Sequence, residues 1–208
     1  MAVSMRSFLA SFALMALTVI GGLAFIYSGL FDVAASEPHW SITRWVLETA
    51  RKQSIKVHAA GIEVPLGLDD PAQLLIGTEH FAAHCAVCHG APGVPKGDIG
   101  QGLSPQPPNL AHSSEHYTPS ELFWIIKHGI RMTGMPAWGD HSDDELWATV
   151  AFIRKLPEMT TEDYAKLVMQ VVSEGGQHHP AAHDAHPEPG TEQPQDAAAP
   201  DHAASHHH

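Results

Sequence analysis

The stretch Cys85-Ala86-Val87-Cys88-His89 constrains this chain more than any other. On a helix, residues three apart share a face, so both thiols project to one side, and the imidazole of His89 follows directly. C-x-x-C-H is the spacing at which two thiols make thioether links to the vinyl groups of a haem while the histidine offers a ring nitrogen to the iron. Two other readings of the pair exist. A structural zinc site would need a second Cys or His pair at familiar spacing, and none is found. A redox-active dithiol of the thioredoxin type would sit in a βαβ pattern, which the flanking sequence lacks, and would leave His89 unexplained. The 208 residues hold only these two cysteines, so covalent haem accounts for both.

The chain suits one compact domain with appendages. The formal net charge is −12. Nucleic-acid binding is therefore not expected, because it needs clustered Lys and Arg against phosphate. A redox partner protein with a neutral or basic docking face suits this surface better.

Residues 1–35 read as a membrane anchor. Phe8 to Leu30 carries no charged side chain, and at 1.5 Å per residue it spans about 35 Å as a helix. Arg6 before it, with Asp32 and Glu37 after it, favours an N-terminus in the cytoplasm and the remainder outside. A cleaved signal peptide ending after Ala35 is the competing reading, but the apolar run exceeds the usual h-region of about 7–15 residues. Either way the domain is exported. Residues 36–69 follow as an amphipathic helix and a connector. Trp45, Val46, Thr49 and Lys52/Gln53, with Ile42 and Ile55, outline its apolar side. Trp40 and Trp45 suit either a membrane interface or packing on the haem domain.

Residues 70–174 read as the haem domain with a C-terminal helix. Asp70-Pro71-Ala72-Gln73 opens a helix that carries Gly77 and Phe81 into the cysteine motif and ends near Gly90. Gly90 to Ser114, with five prolines and five glycines, is expected to be loop. Within it the carbonyl of Pro107 or Pro108 is a candidate acceptor for the second ring nitrogen of His89. Thr118-Pro119-Ser120-Glu121 and Ser142-Asp143-Asp144-Glu145 are capping boxes that open two further helices. The second should cross the first near Gly77, with Phe152 at the contact. Thr161 to Ser173 adds a last amphipathic helix.

For the sixth iron position the candidates are Met135, Met132, a histidine such as His128, or water. Met135 stands between Gly134 and Pro136, and the proline biases it to an extended backbone that turns its side chain inward. Met132 is the alternative. Residues 175–208, rich in Ala, Pro and His without Lys or Arg, have the composition of a disordered tail. Eight of the seventeen histidines lie there, from His178 to His208, and such tracts bind Cu or Zn.

Read together, Cys85-x-x-Cys88-His89, the Gly-Leu-x-Pro-x-Pro-Pro-x-Leu run from Gly102 to Leu110, and Gly134-Met135-Pro136-Ala137-Trp138 resemble the class I mono-haem cytochromes c of bacterial membranes. The resemblance covers about residues 70–156. It implies an all-α fold wrapped round one covalent haem c, His89 and Met135 as axial ligands, and electron transfer rather than enzymatic turnover. With the anchor, it implies a single-pass protein of the bacterial inner membrane whose haem domain faces the periplasm. Two alternatives are a cytochrome subunit of a respiratory dehydrogenase or oxidase complex, and copper-related metal handling through the tail. A haem sensor or peroxidase would need an open sixth position.

Overall fold

The computed structural model describes residues 5–175; the His-rich tail beyond Gly175 lies outside the described residues. Among those residues the chain is helical, with a single isolated bridge pairing Ala91 and Val94. The first helix, α1 (Met5–Tyr27), buries none of its residues and is long and apolar enough to cross a membrane. It starts three residues before the uncharged run and stops at Tyr27, two residues short of Gly29, which takes φ +71°.

Helix α2 (Ser41–Ala59) is set on the rest through its C-terminal half, where Ile55 and Ala59 are buried. Its inward face runs through Leu47, Arg51, Ile55 and Ala59, one turn apart each. The face outlined by Trp45, Val46 and Thr49 is exposed instead, and so is Trp40. The reason is the partner, α7 (Pro119–His128). Its Trp124 meets His58 at 5.4 Å between ring centroids, and its Ser120 hydroxyl donates to the Ile62 carbonyl at 2.8 Å. The tryptophans therefore do not pack on the domain.

The core is built on one crossing. Helix α3 (Pro71–His80) begins with the Asp70 carboxylate accepting from the Ala72 N–H and with proline in its first turn. Helix α8 (Asp143–Lys155) begins with a reciprocal capping box between Ser142 and Glu145, and α7 begins the same way between Thr118 and Glu121. In α8 every residue from Leu146 to Ile153 is buried. Gly77 explains how α3 comes so close: a Cβ there would lie 2.0 Å from the Ala148 carbonyl oxygen and 2.9 Å from the Phe152 Cβ. Only a residue without a side chain fits. Phe81 and Phe152 are fully buried beside this point, with ring centroids 4.8 Å apart; burying each is worth about 1.5–3 kcal/mol. Helix α9 (Thr161–Gly175) closes that side by placing Tyr164 in the same cluster.

Candidate functional site

The helix begun by α3 does not run evenly to Gly90. Phe81–Cys85 forms one π-helical turn, in which the Ala86 N–H reaches back to the Phe81 carbonyl, and α4 (Ala86–His89) then completes it. Such single π turns widen a helix and re-aim the side chains that follow, often at functional sites. Gly90, at φ +72°, ends the segment.

Cys85, Cys88 and His89 are brought together here, each half-buried. The two thiols are separate rather than joined. Cys85 packs on the hydrophobic core, and its burial, with Cys88 adding, pushes the thiol up to about 12. The chain then folds back over the motif. The Gly97 N–H donates to the Val87 carbonyl at 2.9 Å, and Gly100 lies so close that a Cβ would sit 2.4 Å from the Cys88 oxygen.

That return carries the prolines to His89. Its Nδ1 donates to the Pro108 carbonyl at 2.9 Å. The Pro107 carbonyl is engaged differently, by the Lys96 ammonium. Because a neutral imidazole holds one proton, a bond from Nδ1 leaves Nε2 with its lone pair available. Burial holds the His89 pKa below the ordinary histidine value, the Pro108 bond acts the other way, and Lys96 lowers it further. The ring is therefore neutral and oriented.

The segment with the two candidate methionines is a closed loop between α7 and α8. Gly129, at φ +64°, lies against the Pro136 backbone, where a Cβ would be 2.6 Å from the Pro136 carbonyl carbon. The Ile130 N–H donates to the Met135 carbonyl at 3.2 Å, and the Met135 N–H to the Thr133 hydroxyl at 3.1 Å. Gly134 rests on the Leu103 side chain, which joins this loop to the one that supplies Pro108. Met135 packs against the same core as Cys85. Met132 sits at φ +61° and is 71% exposed, and His128, at the end of α7, is exposed with its ring 5.1 Å from that of Trp124.

The donor set fits a covalent c-type haem: two unpaired thiols three residues apart, an adjacent imidazole with Nε2 free, and a thioether on the same core. A cavity of about 390 Å³ opens between Gly90–Gly93, Asn109–Ala111 and 156–161, but neither the cysteine motif nor Met135 lines it.

The sequence pattern did not gather a second group of imidazoles. His80, at the end of α3, and His84, in the π turn, meet His141 from the loop before α8. The i, i+4 spacing of His80 and His84 was the available signal, but His141 lies 61 residues from His80 and joins only through the fold.

Residues 72–153 match the family model described as cytochrome c oxidase, cbb3-type, subunit III. A quinohemoprotein alcohol dehydrogenase of Comamonas testosteroni is 33% identical over 86 residues, which are 41% of this chain. The chain spans only 11% of that relative's length. The matched segment, which runs from the start of α3 almost to the end of α8, is a cytochrome c domain.

Proposed function

We propose that the protein is a membrane-anchored c-type cytochrome that carries electrons on the periplasmic side of a bacterial inner membrane. The observation that carries this reading is the bond from His89 Nδ1 to the Pro108 carbonyl, made beside the two unpaired thiols of a cytochrome c domain. When bound, haem supplies a reversible one-electron iron couple.

The residues have separate tasks. Cys85 and Cys88 would hold the macrocycle through thioether bonds. Pro108 fixes the tautomer and tilt of His89, whose Nε2 would be left to bind the haem iron. Met135, held by the hydrogen bonds at Ile130 and Thr133, would offer its sulfur to the same iron. Its burial against the core favours it over the exposed Met132. A histidine and a thioether together raise the reduction potential relative to two histidines and close the iron to small molecules. Transfer at the haem edge follows, with no substrate site required.

Helix α1 serves as the anchor in this reading, residues 36–69 as the bridge and residues 70–174 as the haem domain. Net negative charge suits docking to partners with complementary faces. The family match favours a second reading, the cytochrome subunit of a respiratory oxidase or dehydrogenase complex. A stoichiometric partner that survives detergent purification would support the subunit over the shuttle.

The experiment is a visible spectrum of the protein matured in an export-competent host, repeated on Met135→Ala. A sharp ferrous α band that survives acid–acetone extraction is expected, with the weak ferric sulfur-to-iron band lost in the variant. Persistence of that band would move the ligand to Met132. Absence of any haem spectrum would overturn the reading.

A further inference from the structure

We propose that His80, His84 and His141 form a site for a borderline divalent cation, Zn²⁺ or Cu²⁺, distinct from the cysteine motif, His89 and Met135. One ligand nitrogen from each ring lies within 4.8 Å of the others. His80 Nε2 and His141 Nδ1, a hydrogen-bonded pair, are 3.3 Å apart. Two imidazole nitrogens bound to one tetrahedral zinc at ordinary Zn–N lengths stand about 3.3–3.4 Å apart. That pair already has the separation a shared ion needs, and the His84 ring has only a short distance to close.

The protonation pattern supports coordination. The Thr149 hydroxyl has one proton, and it donates to the Glu145 carbonyl at 2.8 Å. Its 3.0 Å contact with His80 Nδ1 is therefore one in which the histidine donates. His80 is left with its lone pair on Nε2, directed at His141. This is the arrangement by which outer hydrogen bonds fix the tautomer of a ligating histidine. Burial, with His84 and His141 adding, holds His80 down to about 4, so it is neutral in ordinary buffers.

The surroundings suit a cation. The Glu145 carboxylate is near enough to His80 and His84 to oppose the lowering of their pKa values, so it brings negative charge to the site. His80 is 7% exposed, whereas His84 and His141 are half-buried, which leaves an open side for entry and for a fourth ligand. The Trp138 ring backs the group, with centroids 4.8 Å from His84 and 5.4 Å from His141. Three imidazoles with an open position select the Cu²⁺ and Zn²⁺ end of the divalent series. Bound there, the ion would tie the end of α3 to the loop that also holds Met135.

The test is equilibrium dialysis of the full-length purified chain against Zn²⁺, which is redox-inert and leaves haem iron in its oxidation state. His141→Ala and His84→Ala are measured beside it. Because all three proteins keep the histidines of the tail, that background cancels. The expected result is one more tightly held Zn²⁺ in the parent than in either variant, with an unchanged haem spectrum. Zn²⁺ should also raise the thermal midpoint of the parent more than that of the variants. Equal stoichiometry and equal midpoint shifts in all three would overturn the site. The two variants lie on different elements, so if one misfolds the other still decides.

Discussion

His80 and His89 stand on one helical run, on either side of the π turn, and each is oriented through Nδ1. His89 donates to a loop carbonyl, Pro108; His80 donates to a buried hydroxyl, Thr149. Both are left with Nε2 as the outward ligand atom. Their settings differ. His89 is half-buried beneath a proline-rich return and stands next to two thiols, whereas His80 is buried against α8 and faces two more imidazoles. A cytochrome c motif explains the first set. The second is completed only by the fold, which brings His141 to the local pair His80 and His84.

Breaking the crossing should therefore weaken both sites at once, and this is the largest effect expected. In Gly77→Val the new side chain would meet the Ala148 carbonyl oxygen, already 2.0 Å from a Cβ position. Backbone cannot yield as a flexible side chain does, so a loss of about 3 kcal/mol is expected. Thermal unfolding of the haem-bearing protein checks it, and Gly77→Ala should be a milder version of the same change.

The two sites should then separate under single substitutions. His89→Ala removes the first proposed axial ligand but no part of the three-histidine group. Haem-bearing protein should fall by about tenfold or more, read from the ferrous α band per unit of protein, while zinc retention in the fraction that folds is kept. An undiminished α band with its ferric sulfur band intact would move the axial role away from His89.

Thr149→Val tests the other set. It keeps the shape of a buried β-branched side chain but strips the acceptor from His80 Nδ1. An unpaired buried donor costs about 1–3 kcal/mol, and loss of an outer hydrogen bond weakens metal binding by about 10- to 100-fold. Thr149→Ser should restore both. The spectrum belonging to His89 should not move, which a general packing defect at the crossing would not spare.

How far each site was legible follows from the same contrast. The cysteine motif and the three helix starts are local patterns, and the structure shows the capping boxes where the pattern places them; the long-range crossing expected at Gly77 and Phe152 is also present. The pairing of the Pro108 carbonyl with His89, as against Pro107, depended on where Lys96 lies after the chain returns. The inward face of α2 was misjudged because Trp45 and Val46 are apolar without being docked, while Arg51 lies along the buried stripe. Apolarity marks a candidate face, and only the partner helix decides which face is used. The π turn had no sequence signal, and neither did the arrival of His141.

The smallest effect concerns the start of α8, which carries both Thr149 and the Glu145 carboxylate. Ser142→Ala removes a side chain that accepts from the Glu145 N–H at 3.3 Å and donates to its carboxylate at 2.9 Å. A cap of this kind is worth about 1 kcal/mol. The bonds from Ser142 hold the Glu145 carboxyl below its ordinary value. A carboxylate depressed on folding stabilises the protein above the unfolded-state value, and that contribution is lost as pH falls through the folded one. The gap in urea midpoint between parent and Ser142→Ala should therefore be widest at neutral pH and narrow in acid. A gap that stayed constant would assign the cap to the N–H bond alone, and one that widened in acid would contradict the direction of the shift. Because Glu145 also faces His80 and His84, Ser142→Ala should weaken zinc retention less than Thr149→Val does. The carboxylate acts on those rings only through charge, whereas the hydroxyl fixes which nitrogen bears the proton.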